Sequence, residues 1–212
     1  MNFANYYKRA AAPKAERGAS LIMVMIILTI VSMIGIAGIQ ISTMSERGAR
    51  NDRDYQVAWQ SAEAGLLDAE SELSAPGTST RRTVFDPASV NAEFVDGCGT
   101  SGTSRGLCTL KLATSDKPAW VTANFDLTGN AAPTAEYGQF TGRTFAAGGP
   151  GVQPARRPRY VIEAIPDNLG KGSEDREDTE GEKDKKYVFR VTSMGFGPRA
   201  DIQAVVQMVY RK

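Results

Sequence analysis

The stretch ASLIMVMIILTIVSMIGIAGIQI, residues 19–41, decides how the rest of the chain is read. Its polar interruptions are Ser20, Thr29, Ser32 and Gln40, none of them ionisable, and no charged side chain occurs from Gly18 through Ser45. At about 1.5 Å per residue a helix of this length spans roughly 30 Å or slightly more, enough to cross the hydrocarbon core of a bilayer. A buried helix of a soluble protein would show a polar stripe, and this run has none. The reading is a transmembrane helix.

The flanks separate an anchor from a signal peptide. Upstream, residues 1–18 hold Lys8, Arg9, Lys14 and Arg17 against Glu16, a basic leader. Gly35-Ile36-Ala37 offers a small-x-small cleavage pattern, but secretory apolar regions are usually about 7–15 residues long. Downstream the helical pattern continues. From Glu46 to Leu73 there is no proline, and Tyr55, Trp59, Ala62, Leu66, Ala69 and Leu73 recur at alternating steps of four and three. That spacing marks one helical face, with Asp54, Gln56, Gln60, Glu63, Asp68, Glu70 and Glu72 expected on the polar side. Pro76-Gly77 ends the pattern. Residues 19–74 therefore read as one helix of roughly 80 Å, membrane-spanning over 19–45 and amphipathic over 46–75.

The remaining sequence, 76–212, is rich in Gly, Ser, Thr and Ala, with short β-prone runs. Arg159–Ile165, Lys186–Ser193 and Asp201–Arg211 alternate with period two and read as strands. In the last, Ile202, Ala204, Val206, Met208 and Tyr210 share a face. Gly195-Phe196-Gly197-Pro198 reads as the turn before it, and Trp120–Leu127 as a fourth strand. The expected fold is α+β: a long N-terminal helix whose second half packs on an antiparallel sheet.

Composition narrows the function. The 212 residues carry a formal net charge of +1 and no histidine, which removes the commonest general base and the commonest zinc ligand. The two cysteines are too few for a four-ligand zinc site, so no catalytic residue, cofactor or metal site is expected. Residues 170–186, GKGSEDREDTEGEKDKK, are too charged to bury and read as an exposed excursion. The calcium-loop frame fails there, because Glu180 occupies the position that needs glycine. Ala155-Arg156-Arg157-Pro158-Arg159 is a small basic cluster, read as capping a strand rather than binding nucleic acid.

Arg17-Gly18-Ala19-Ser20-Leu21-Ile22 resembles the type III signal of prepilins. Together with SAEAGLLDAE at residues 61–70, it is similar to the N-terminal region of PilX-type minor pilins. Residues 189–197, FRVTSMGFG, and 207–211, QMVYR, resemble that family's C-terminal end, while residues 76–155 show no recognisable match. The resemblance implies cleavage between Gly18 and Ala19 by a prepilin peptidase and N-methylation of Ala19. It also implies a subunit anchored in the inner membrane with residues 42–212 in the periplasm, later part of a pilus. The implied partners are other minor and major pilins and a pilus-tip adhesin. Major pilins carry a glutamate at the fifth residue after the cut, thought to pair with a neighbour's terminal amine, and here that residue is Met23. The departure implies a subunit near the tip. A tip pseudopilin of a type II secretion system and a membrane-tethered binding protein outside any filament are the alternatives. In an exported domain, Cys98 and Cys108, flanking a short Gly- and Ser-rich segment, suggest a disulfide; two free thiols suit only a cytosolic one.

Overall fold

A computed structural model of the chain describes residues 19–74, 79–111, 117–167 and 186–211. Helix α1 covers Ala19–Ser74. The chain divides into two units, one ending at Ala49 and one beginning at Arg50.

In the first unit α1 carries the apolar run of residues 19–41. All described side chains from Ser20 to Ala49 are exposed, and its most apolar stretch has a mean hydropathy of 2.7 with nothing buried. The few hydroxyls bond within the helix. Thr29 Oγ1 donates to the Ile26 carbonyl at 2.8 Å, and Ser32 Oγ to that of Leu28 at 2.7 Å. Such back-bonding satisfies these two hydroxyls within the helix, as surroundings that lack water require. The helix has the length and surface of a membrane anchor.

The second unit is built on a sheet. Strands β1 (Leu107–Thr109), β2 (Ala135–Glu136), β3 (Arg159–Pro166), β4 (Tyr187–Phe196) and β5 (Gln203–Arg211) lie in the order β1-β3-β4-β5, with β2 also paired to β3. β3, β4 and β5 are antiparallel neighbours. Ile162 lies opposite Val191, and Val191 opposite Met208. Short helices α2 (Pro87–Glu93) and α3 (Ala119–Thr122) lie in the segment between α1 and β3.

One face of the sheet carries the main core. Tyr160, Ile162, Ala164, Phe189 and Val191 meet Ala69 and Leu73 of α1, together with Val84, Phe85, Val90, Phe94, Leu107 and Phe140. Alternate residues turn the other way. Val161 packs with Cys98, Cys108, Ala119 and Phe125, and Met194 lies against that smaller cluster. The α+β, pilin-like architecture read from the sequence is present.

Four details differ from the sequence reading. Residues 120–127 form no strand: α3 follows Pro118, and Ala119 and Phe125 bury singly against the disulfide cluster. The sheet gains β1, which runs parallel to β3 (Leu107 opposite Ile162) and is too short to show a period. β4 continues through Gly195 and Phe196, and the turn comes later, closed by the Gly197 N–H on the Ile202 carbonyl at 2.8 Å.

The fourth difference is the extent of the docked face of α1: Ala62, Leu66, Ala69 and Leu73 of the expected stripe dock, whereas its first two members do not. Tyr55 and Trp59 are 48% and 42% exposed, while Ala58, Ser61, Ala62, Asp68, Ala69, Glu72 and Leu73 are buried. Close approach explains the choice. A Cβ at Gly195 would lie 2.1 Å from the Ala62 nitrogen and 2.2 Å from the Ala58 carbonyl oxygen, and one at Gly65 2.2 Å from Ser193 Oγ. Backbones this near admit only small side chains, so the aromatics face outward.

Candidate functional site

Ala19 opens α1, and Gly18 lies outside the described residues. Met23 is 67% exposed on an apolar surface. Gly35 and Gly38 are helical with nothing within 4 Å of where a Cβ would stand, leaving a bare strip of backbone. Small residues on a helix surface let a second helix come close.

Beyond Arg50 the docked half of α1 is held by ionic groups as well as by apolar packing. Glu72 and Arg81 form an ion pair with both side chains fully buried. Arg81 also donates to the Thr103 and Arg105 carbonyls, and its guanidinium lies 3.6 Å from the centre of the Phe140 ring. The other Glu72 oxygen accepts from Tyr160 Oη at 2.7 Å. Burial, and then the neighbouring Glu72 charge, hold the Tyr160 phenol well above the usual tyrosine range. One turn earlier, Asp68 accepts from the Gly138 N–H at 2.7 Å and from Thr141 Oγ1. A charge-assisted bond inside protein is strong when every partner is in place. The two carboxylates therefore fasten α1 to β3 and to the loop at residues 137–142.

The sequence reading put Asp68 and Glu72 on the polar side, and the structure corrects that. Counting from Ala58 through Ser61, Gly65 and Asp68 to Glu72, the same three-four spacing runs about one position away from the aromatic stripe. Their partners, more distant in sequence, supply the reason for burial.

Cys98 and Cys108 are joined by a disulfide. Around it the loop bonds to itself: the Gly106 N–H donates to the Gly99 carbonyl at 2.9 Å, and that of Gly99 to Leu107 at 3.2 Å. Gly97 and Cys98 both adopt left-handed conformations, with φ of 73° and 67°. Each arginine of the basic cluster faces a carboxylate. Arg156 reaches Asp126 at 3.1 Å, while Arg159 and Arg157 share Glu136 at 3.0 and 3.5 Å. Among the described residues no cluster of His, Cys, Asp or Glu is placed to hold a metal ion. The acidic excursion at 170–186 lies outside the described residues except for Lys186.

The chain thus combines an apolar helix of membrane length with a helix docked on an antiparallel sheet. The model of the PilX N-terminal region matches residues 17–67, and that of the type IV pilus assembly protein PilX C-terminal region matches residues 45–212. The chain belongs to the PilX family. Membership extends through residues 76–155, where the sequence alone offered no likeness, and makes this PilX-family chain a component of type IV pilus assembly. The family is structural rather than enzymatic, and its members work alongside other pilus components. No curated protein and no solved structure matches the chain.

Proposed function

We propose that the chain is a minor pilin that initiates the type IV pilus and stays near its tip. The prepilin peptidase cuts between Gly18 and Ala19, and Ala19 becomes the N-methylated terminus. Residues 19–45 then sit in the inner membrane with the rest of the chain in the periplasm. On assembly the helix leaves lipid for the filament, where it packs against other minor pilins and the major pilin, and the globular part meets a pilus-tip adhesin.

The observation that carries this reading is the start of α1, where a wholly apolar, exposed helix has Met23 at the fifth residue. A terminal amine in an apolar filament core is costly unless paired, and Met23 offers no carboxylate for it. A subunit with no such pairing to make suits one end of the fibre better than its repeating body. The bare strip at Gly35 and Gly38 is where the helix can stretch on incorporation, each glycine weakening it by roughly 1 kcal/mol relative to Ala. Continuous helix across those residues in a filament map would remove that last point.

Quantitative mass spectrometry of sheared pili should find the chain at a small fraction of the major subunit, and its deletion should lower the number of pili. Abundance comparable to the major pilin would withdraw the tip assignment.

A further inference from the structure

The segment entering β3 and the residues facing it border an open pocket of about 260 Å³, lined by Thr128, Glu136, Arg156, Arg157 and Arg159 among others. That is slightly below the roughly 300 Å³ at which small-molecule pockets begin. There is room for one small group and little more.

The chemistry of the cavity is one-sided. Three guanidiniums line it against a single carboxylate, Glu136, whose two oxygens are divided between Arg159 and Arg157. Asp126 accepts from Arg156. Arg105, bonded to the Gly129 and Asn130 carbonyls, adds a fourth positive charge close enough to act on Arg159. Two carboxylates therefore face four guanidiniums.

Two of the lining guanidiniums are already fixed. Arg156 lies over the Phe196 ring at 4.6 Å. Arg159, its side chain 3% exposed, donates to the hydroxyl and the carbonyl of Thr134. Arg157 differs: it is half-exposed, its contact with Glu136 is long at 3.5 Å, and its other N–H groups meet no partner among the described residues.

We propose that this cavity binds a small oxyanion, a phosphate or carboxylate group, gripped by Arg157 and Arg156 with Arg159 supplying charge from the wall. A guanidinium presents its donors in a planar fork that matches either group. Because Arg156 and Arg159 are held in place beforehand, little side-chain freedom is lost on binding. Burial, chiefly, pulls the Arg159 guanidinium below its ordinary value, and Arg105 and Arg156 push the same way against Glu136. An arriving anion relieves that crowding of positive charge. Glu136 repels a second negative group and accepts from a hydroxyl, so the ligand that fits best carries one acid group beside an alcohol.

The test is calorimetric titration of the full chain in detergent micelles with inorganic phosphate and, separately, with glucuronate, against chloride at matched ionic strength. Saturable binding of either probe is expected, weakened at least tenfold by Arg157→Ala while the thermal midpoint is unchanged. The probe that binds identifies the acid group. Heats equal to the chloride control for both probes, or binding that Arg157→Ala leaves intact, overturn the proposal.

Discussion

Glu72 concentrates the energetics of the docked helix in one side chain. It neutralises a fully buried arginine and accepts the hydroxyl of a fully buried tyrosine. Glu72→Ala leaves Arg81 charged without its counter-ion, a change that costs about 3–5 kcal/mol when the pair is buried. Urea denaturation of the soluble domain should show that loss. Glu72→Leu combined with Arg81→Met and Tyr160→Phe should recover part of it, because the apolar set leaves neither an orphaned charge nor an orphaned hydroxyl. The same site sets an alkaline limit. A phenol that ionises later in the folded than in the unfolded chain contributes fully below the unfolded value of about 10, and the contribution disappears as pH rises past it. The stability difference between the parent and Tyr160→Phe should hold up to about pH 10 and shrink above it. A difference that grows through this range would mean that Tyr160 is not held protonated.

At the scale of elements, small residues decide which side of α1 docks. Gly195→Ala places a methyl against helix backbone that cannot rotate away, and overpacking of this kind typically costs about 1–3 kcal/mol. Trp59→Ala, on the outward face, should change stability by no more than about 0.5 kcal/mol. Equal losses from the two variants would mean that Trp59 is packed as closely as Gly195. The contrast shows where sequence was legible. Long periodic elements were: α1, and the three antiparallel strands to within a few residues. The width of the docked face was not: the expected stripe through Ala62, Leu66, Ala69 and Leu73 docks, and so does its neighbour through Ser61, Asp68 and Glu72. Hydrophobicity put Tyr55 and Trp59 inside, whereas close approach at Gly195 leaves them outward, and partners from the sheet and loops bury Asp68 and Glu72. β1 was illegible for a different reason: three residues, the first two buried, are too few to show an alternation. The loop holding Cys98 and Cys108 makes its own prediction. Its disulfide should stabilise the domain by about 2–3 kcal/mol through loop closure, so Cys98→Ser should lose about that much. Protein taken from the periplasm should react with thiol reagents only after reduction.

Across the whole molecule, one helix serves two solvents. Its first part has no polar stripe and no charge, and its later part buries carboxylates whose partners come from the sheet and loops. A secretory signal peptide would be discarded after Ala37, leaving the docked half without the segment that precedes it. A pilin keeps both and loses the leader alone. The PilX N-terminal model matches residues 17–67, a stretch that includes the apolar run. Mass spectrometry of the mature chain's N-terminal peptide tests this most directly. It should begin at N-methylated Ala19, and a bulky residue at Gly18 should leave the leader attached and block piliation. A mature terminus at Gly38 would contradict the account.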